Sequence, residues 1–453
     1  MAQGFRGRIW CTSATADLLE YMLADAGRIQ ETEADRRNRR RDRAGDEAFR
    51  PIYTEADGLQ AWRACHPVTT EAWFEPAPGF RCRFWNAGHI LGAASLELDV
   101  NGVRVMCSGD LGPQNKTFQQ DPSAPTDFDH VICETTYGDR VREPLTADQR
   151  RTLLEAEVRG ALVRGGNLII PAFALERTQE LLLDLAVLID RGAIPEIPVF
   201  VDSPLANKAT RVFAARAAEL EDTGGANIFN HPSFHFVDDV TQSMRLNAMS
   251  GAIILAASGM CEAGRIRHHL VHNLHRADST VLFVGFQAQG SLGRVILDGA
   301  QAVRISGRDV RVRAQIRNLD CYSAHADQTE LLAWIQGRAP ISGSLFLVHG
   351  EETALEEMRR LLQQEAPELV VKLPEIGEAY QLQPDSAARR TATGNPDLAQ
   401  AVARDWQNDY AAFATSLKRD LARIRSARDR QRAIDQMRRV LDSFAEHRAK
   451  HRH

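Results

Sequence analysis

Residues of types that bind metals or transfer protons stand at the ends of short apolar runs in this 453-residue chain. His89 lies in the stretch NAGHILGAAS and Asp110 lies in CSGDLG. The two runs between them, SLELDV and VRVMCS, are separated by Asn101-Gly102, which is a strong β-hairpin signal. Because a hairpin brings its open ends together, we expect the imidazole and the carboxylate at one edge of a sheet. Both groups are good ligands for zinc or a similar divalent ion.

Three more candidates close apolar runs elsewhere in the chain. Glu134 ends the run DHVICE, and His349 ends SLFLVH. His325, in CYSAHADQTELLAW, directly precedes a helical pattern that Asp327 and Glu330 are placed to cap. A histidine at such a helix start lies beside free amide hydrogens and the positive end of the dipole, which suits a phosphate. Singly, each residue is also explained as a hydrogen-bonded, capping or hinge residue, but five at one edge favour a functional site.

Strand and helix patterns alternate from about residue 80 to 350, which predicts an α/β fold with largely parallel sheets. Ligands of such folds bind at the carboxyl ends of the strands, where the polar turns DSP, SGM, GSLG and HGE fall. Beyond residue 384, DSAARRTATGNPD is typical of a linker. A helical tail follows, and its apolar stripe from Leu398 to Ile424 is expected to pack on the body or on a second subunit, as a homodimer.

The composition is that of a soluble globular protein. The net charge of −5 argues against nucleic-acid binding by global charge, although residues 385–453 carry 15 Lys and Arg against 9 Asp and Glu. A second basic cluster, RRNRRRDR, lies at 36–43, and both clusters are also explained as solvated helix faces. No apolar run approaches the ~20 residues of a membrane span. Seven cysteines without a CxxC pair predict buried thiols in a reducing, cytoplasmic compartment.

Nine motifs in order resemble the β-CASP branch of the metallo-β-lactamase superfamily, a group of RNA-processing nucleases. They are NAGHILGAAS, SGDLG, ETTYGDR, PAFALERTQELL, DSPLA, SGM, GSLGR, SAHAD and LVHGE, and the resemblance runs from about residue 4 to 382. It implies a metallo-β-lactamase αββα sandwich, interrupted by an inserted α/β β-CASP cap domain, with RNA in the cleft between them. The implied division is 1–150 and 310–384 for the lactamase domain, 151–309 for the cap, and 385–453 for the linker and basic helical tail.

The resemblance also implies roles for individual residues. His89 and His349 resemble ligands of two separate zinc ions, and Asp110 resembles the carboxylate that bridges them. Glu134 resembles an acidic residue just outside the metal ligands. His325 resembles the histidine that contacts the scissile phosphate and protonates the leaving oxygen, so the implied catalytic residues are His325, Glu134 and Asp110. RNA phosphate contacts are expected at His325 and in two polar turns, at Ser258, Gly259, Ser291 and Gly293.

The function implied is a zinc-dependent ribonuclease that cleaves single-stranded RNA internally, with or without a 5′-exonuclease mode, in RNA processing or decay. The family's His-x-His-x-Asp-His run is missing, and no histidine precedes His66. Either the chain is N-terminally incomplete, or it is a non-catalytic RNA-binding or scaffold homologue that has lost its metal site. Because every downstream position is present, we expect the first, in which case the 453 residues as written would bind zinc poorly and this exact chain can be inactive, since His89, Asp110 and His349 cannot fill two tetrahedral sites. Hydrolysis of another ester or a thioester is a third alternative, which the inserted cap and SAHAD disfavour.

Overall fold

The computed structural model describes residues 4–39, 48–143, 145–221, 228–394, 421, 423–424, 426, 428–437 and 439. The strands are β1 (Ile9–Thr12), β2 (Cys65–Val68), β3 (Phe74–Ala77), β4 (Phe80–Asn86), β5 (Ala94–Val100), β6 (Val103–Cys107), β7 (Phe128–Glu134), β8 (Leu168–Pro171), β9 (Val199–Val201), β10 (Phe234–Phe236), β11 (Ile253–Ala256), β12 (Thr280–Phe283), β13 (Ala302–Ile305), β14 (Arg308–Arg311), β15 (Gln315–Asn318), β16 (Ile341–Val348), β17 (Val371–Lys372), β18 (Ala379–Gln383) and β19 (Ser386–Ala392). The helices are α1 (Ser13–Arg39), α2 (Glu55–Arg63), α3 (Ala147–Arg164), α4 (Arg177–Asp190), α5 (Pro204–Ala215), α6 (Val240–Leu246), α7 (Ile266–Asn273), α8 (Leu292–Leu297), α9 (Gln328–Gln336) and α10 (Glu352–Glu365).

A seven-stranded mixed sheet, in the order β17-β16-β7-β6-β5-β4-β3, forms one centre of the fold. Strands β3 to β6 are antiparallel neighbours, whereas β6, β7, β16 and β17 run parallel. The predicted hairpin is present, and it joins β5 to β6 through Asn101 and Gly102, which both have positive φ. Helices α9 and α10 pack their apolar residues on this sheet.

A six-stranded sheet, in the order β10-β9-β11-β8-β12-β15, forms the second centre, and all of its strands are parallel. Apolar clusters cover both faces, as the near-continuous hydrophobic strands of a parallel sheet require. The chain enters this sheet after β7 and returns to pair β16 with β7, so the second domain is an insertion. The expected α/β architecture with a parallel sheet is confirmed.

Two of the three predicted domain boundaries fall inside an element. The boundary after residue 150 lies within α3, and the one after 309 lies within β14. Strand β15, which follows, still belongs to the six-stranded sheet. The stretch predicted as a linker from 385 contains β19, which pairs antiparallel with β18, so that interpretation was wrong for Ser386–Ala392. These strands, QIRN and SAARRTA, lack the apolar alternation that would identify them from sequence.

The second sheet of a lactamase sandwich is not seen among the described residues. Besides the two large sheets they contain the parallel pair β1–β2 and two antiparallel pairs, β13–β14 and β18–β19. Trp10 of β1 stacks on Phe74 of β3 at 5.3 Å, which attaches the small parallel pair to the seven-stranded sheet. The mixed α/β fold is therefore established, and the N-terminally incomplete sandwich stays a prediction.

Several other predictions concern the surface and the tail. Most of the apolar stripe, from Leu398 to Leu417, lies outside the described residues, so the homodimer stays a prediction. No helix in the described part of the chain has the length and apolar character needed to cross a bilayer. All seven cysteines are free thiols, and four of them are buried: Cys11, Cys82, Cys133 and Cys261. The cytoplasmic location stays a prediction.

Candidate active site

The five candidate residues lie together at one edge of the seven-stranded sheet. Asp110 follows β6, Glu134 ends β7 and His349 follows β16. Because these three strands are parallel neighbours, their carboxyl ends meet at the same edge. His89 comes from the loop between β4 and β5, and His325 from the loop between β15 and α9. Asp327 and Glu330 form the capping box expected at the start of α9.

His89 is buried, and its imidazole has a fixed orientation. Its Nδ1 lies 2.9 Å from the carbonyl oxygen of Ala324, which can only accept, so Nδ1 carries the hydrogen. Nε2 is therefore free to act as an acceptor or a ligand, and it lies 3.9 Å from Oδ2 of Asp110. Burial, followed by the nearby His325 and Lys116, lowers the pKa of His89 to about 3. The ring is therefore neutral at physiological pH, which is the form that binds metals.

Asp110 lies between two histidines and presents a different oxygen to each. Its Oδ1 is 3.6 Å from Nδ1 of His349, while Oδ2 faces His89. Nδ1 of His349 is also 3.1 Å from the hydroxyl of Thr136. The His349 backbone has a φ of 52°, a left-handed conformation that turns the chain sharply at the end of β16.

The separations of these donor atoms fit a zinc site. Two atoms bound to one tetrahedral zinc at about 2.0–2.2 Å lie about 3.3–3.6 Å apart; the Asp110–His349 separation of 3.6 Å matches this, and the Asp110–His89 separation of 3.9 Å is slightly wider. One donor atom each from His89, Asp110 and His325 also lie within 4.8 Å of one another. His325 thus joins the possible ligands, which the sequence had not suggested. The described residues nevertheless offer fewer donors than two four-coordinate zinc ions require.

Glu134 is a buried carboxylate that holds His325. Its Oε1 accepts hydrogen bonds from the backbone N–H of Leu111 at 2.6 Å and from Nδ1 of His325 at 3.0 Å. Its Oε2 accepts from the N–H and the hydroxyl of Thr136, at 3.1 and 2.6 Å. Burial alone would raise the pKa of Glu134, but these bonds outweigh it and lower the pKa below its ordinary value. The bond fixes the His325 ring and leaves its Nε2 free at the site.

The two turns predicted to contact RNA pack against each other in the second domain. Ser258 and Gly259 follow β11, and Ser291 caps α8 with its hydroxyl 3.2 Å from the N–H of Arg294. Gln287 joins the turns, because its Nε2 donates to the Gly259 carbonyl at 3.0 Å and its side chain occupies the space where a Cβ on Gly293 would lie. Within the described residues, no hydrogen bond connects either turn to the five clustered side chains. These glycines are required for packing.

An aromatic and basic cluster beside His325 was missed by the sequence reasoning. The Tyr137 ring contacts the His325 ring edge-on at 6.2 Å and the Phe286 ring at the same distance. The guanidinium of Arg142 lies 5.2 Å from the Tyr137 ring centre and donates to the His325 carbonyl. Tyr137 and Arg142 both belong to ETTYGDRVR. The signal in the sequence was therefore an aromatic and a basic residue, three and eight positions after Glu134.

Buried charges beneath the His89 loop were also missed. Lys116 is buried and its ammonium lies 2.8 Å from Oε1 of Glu176, at the start of α4. Glu180 and Asp184 follow on the same face of α4, and both are buried. Burial raises the pKa of Glu180. The spacing of the three carboxylates, four residues apart in ERTQELLLD, was a readable signal.

Two domain families match this chain. Residues 178–296 match the Beta-Casp domain, and residues 309–374 match the Zn-dependent metallo-hydrolase RNA specificity domain. The first match lies within the inserted domain, and the second contains both His325 and His349. A metal cofactor is therefore supported by the family of the second match.

Curated relatives are similar over most of the chain. A ribonuclease of Thermus thermophilus is 34% identical over 384 residues, which are 83% of this chain and 82% of the relative. The transcription termination factor FttA of Methanosarcina mazei is 28% identical over 78% of this chain and 56% of its own length. Cleavage and polyadenylation specificity factor 73 of Drosophila melanogaster is 26% identical over 81% of this chain and 51% of its own length. The chain thus spans about half of the last two relatives. Together with the two domain matches, this likeness shows that the chain belongs to the β-CASP family of metallo-β-lactamase RNA nucleases.

Proposed function

We propose that this chain is a zinc-dependent ribonuclease that cleaves phosphodiesters of single-stranded RNA internally. The observation that carries the proposal is the position of Asp110, which presents one oxygen to His89 and the other to His349. Relatives named as a ribonuclease and as a cleavage factor support RNA as the substrate.

His89, Asp110 and His349 would hold the metal. The neutral Nε2 of His89 and the two oxygens of Asp110 suit zinc, and the separate directions of those oxygens suit a carboxylate that bridges two ions. When bound, zinc supplies Lewis-acid polarisation of a phosphoryl oxygen and lowers the pKa of water near it.

His325 is proposed as the general acid and phosphate contact. Its Nδ1 is held by Glu134, so a protonated ring presents an N–H at Nε2 toward the cluster. In hydrolysis a water oxygen bonds to phosphorus as the bond from phosphorus to the leaving oxygen breaks; the leaving oxygen takes the Nε2 proton, and the proton that the water loses passes to solvent. The Glu134 carboxylate stabilises the imidazolium before the transfer, as a charge partner does for a catalytic histidine.

The inserted domain is proposed to hold the RNA strand. Contacts from Phe286 through Tyr137 to His325 extend from the turn region of that domain to the clustered histidines. Arg142 adds positive charge beside them, which favours a phosphate. The two polar turns of this domain stay proposed RNA contacts, at Ser258, Gly259, Ser291 and Gly293. The backbone N–H groups of these turns are the groups whose contact with RNA is to be tested.

A non-catalytic RNA-binding role is the second candidate. It is favoured by the small number of donors that the described residues offer for two four-coordinate zinc ions. The two candidates differ in one measurable property, which is whether bound RNA is hydrolysed.

The test is cleavage of a labelled single-stranded RNA by the purified chain with zinc, with a chelator as the blank. We expect internal cleavage that the chelator abolishes and that His325→Gln lowers 10²–10⁴-fold, as is typical for loss of a general acid. His235→Gln is the matched control, because His235 is exposed on β10 in the inserted domain. RNA binding without cleavage at any zinc concentration would overturn the proposed activity of this chain.

A further inference from the structure

The helix α4 of the inserted domain carries three buried carboxylates on one face. Glu176, at the start of the helix, is 1% exposed, and Glu180 and Asp184 are 3% and 0% exposed. Their spacing of four residues places them in a row along the helix. A buried carboxylate is strongly unfavourable unless it is paired and hydrogen-bonded, so the partners of this row must be part of the fold.

Two of the partners come from the loops that also carry the candidate site residues, while Arg150 and Arg151 of α3 pair with Asp184 at 2.7 and 2.9 Å. Lys116, six residues after Asp110, lies 2.8 Å from Glu176 and 3.8 Å from Glu180. Tyr322, three residues before His325, lies with its hydroxyl 2.7 Å from Asp184. The row of carboxylates therefore binds both loops to the inserted domain.

The Lys116–Glu176 pair also holds the backbone directly after the His89 side chain. The Lys116 ammonium donates to the carbonyl of His89 itself. Oε2 of Glu176 accepts the backbone N–H of Leu91 at 3.0 Å. Gln119 donates to the same carboxylate at 3.0 Å, which fixes its orientation. The loop 88–91 is thus bound to the end of α4 by two backbone hydrogen bonds that converge on one buried ion pair.

We infer that Lys116 is a positioning residue, which together with Glu176 fixes the His89 loop and so transmits the position of the inserted domain to the metal-binding imidazole. Only the metal-binding part of this inference rests on the proposed function. The inference differs from a purely structural role in one respect. A structural pair would affect the stability of the whole domain, whereas this pair controls the loop 88–91 in particular.

The first measurement is hydrogen–deuterium exchange of the Leu91 amide by mass spectrometry, in Lys116→Met and in a matched control. The control is Arg265→Met, which removes the partner of another fully buried carboxylate, Asp202, at 2.6 Å. We expect Leu91 to exchange at least about tenfold faster in Lys116→Met and at the wild-type rate in Arg265→Met, because exchange reports local opening. Equal changes in both variants, or no change in Lys116→Met, would overturn the inference.

The double variant Lys116→Met/Glu176→Gln covers the case in which the single variant does not fold. It removes both charges of the pair, and Glu180 keeps Arg177 at 3.7 Å after it loses Lys116, so we expect its Tm to be close to that of the wild type. Leu91 should still exchange faster, since the bond to the His89 carbonyl is lost. A folded double variant with wild-type exchange at Leu91 would also overturn the inference.

The second measurement is a titration with Co²⁺, followed by its visible absorption. We expect the wild type and Arg265→Met to bind equally, and the double variant to bind 10–100-fold more weakly, as is typical when a residue supporting a ligand is lost. Unchanged Co²⁺ affinity in the double variant would contradict the role at the metal site. A wild type that binds no Co²⁺ would overturn the proposed function, while the exchange experiment would still decide the inference.

Discussion

Oε1 of Glu134 lies 3.0 Å from Nδ1 of His325, and the two residues are 191 positions apart in the sequence. The contact joins the end of β7, in the seven-stranded sheet, to the loop where the chain returns from the inserted domain. A single hydrogen bond thus fixes both the direction of the imidazole and its protonation pattern. Its removal should affect chemistry more than folding.

Glu134→Gln should lower the cleavage rate about 10–100-fold, because the amide can still accept the Nδ1 hydrogen but no longer stabilises the imidazolium. The measurement is single-turnover cleavage of labelled RNA, together with the affinity for the same RNA. We expect the affinity to change less than threefold. A rate within twofold of the wild type would show that the charge of Glu134 is not needed.

Zinc should stabilise the folded chain through Asp110. At 100 times its Kd, a ligand that binds only the folded state adds about 2.7 kcal/mol to the free energy of unfolding, and we expect a rise in Tm of about 5 °C. Asp110→Asn should lose most of this rise. The control Asp309→Asn, at an exposed position on β14, should keep it. Equal shifts in both variants would show that zinc binds elsewhere.

Gly112→Ala should displace the His89 loop, because a Cβ there would lie 1.8 Å from the carbonyl oxygen of Gly88 and 2.8 Å from the N–H nitrogen of His89. Neither backbone atom can move without moving the loop. We expect a loss of about 1–3 kcal/mol in the free energy of unfolding, measured by denaturant titration, and a smaller zinc shift. Gly160→Ala is the control.

Gly160 lies within α3, and the nearest atom to a Cβ there is 3.9 Å away, at the end of the Arg164 side chain. This substitution should leave stability unchanged or raise it by up to about 1 kcal/mol, because alanine favours a helix. If the Gly112→Ala variant were as stable as the Gly160→Ala variant, the close approach between residue 112 and the Gly88 carbonyl would be contradicted.

Glu97 should make stability depend on pH in the acid range. It is fully buried on β5, and its carboxylate accepts from Arg83, Trp85 and Arg104. Burial alone would raise the pKa of Glu97, but these bonds lower it below the ordinary value of 4.5. The ionised carboxylate therefore stabilises the fold fully above pH 4.5, and this contribution is lost as the pH falls toward the lowered pKa.

Glu97→Gln should consequently lower the free energy of unfolding by about 3–5 kcal/mol at pH 7, since a buried pair loses one charge. The difference from the wild type should shrink at pH values below 4.5, which denaturant titrations at several pH values can measure. Asp99→Asn removes an exposed pair with Arg81 and should change stability by at most about 1 kcal/mol. A difference that is constant with pH would contradict the lowered pKa.

The parts of the fold that the sequence predicted are those set by local geometry. The β5–β6 hairpin follows from Asn101-Gly102, and it brings together the two chain ends that lead to His89 and Asp110. The capping box at the start of α9 is likewise a pattern of two residues, Asp327 and Glu330, three positions apart.

The features that the sequence did not predict depend on contacts between residues that are far apart in the chain. Lys116 is buried because Glu176, 60 positions later, packs against it, and neither residue signals the other. Strands such as β15 and β19 form because a neighbouring strand accepts their hydrogen bonds, although their own side chains are mostly polar. His325 was expected to contact the phosphate and to protonate the leaving oxygen, and its closeness to His89 and Asp110 depends on how the inserted domain returns.

The insertion between β7 and β16 also constrains how the molecule assembles. His130 and Ser344, on these adjacent strands, are hydrogen-bonded partners 214 positions apart. Closing so long a segment has an entropic penalty, and pairings of such separation form slowly. If the inserted domain, with its parallel sheet, folds first, the ends of β7 and β16 come close together before they pair. The folding rate of the domain built on the seven-stranded sheet should then be limited by the folding of the inserted domain. The histidine cluster would be completed last.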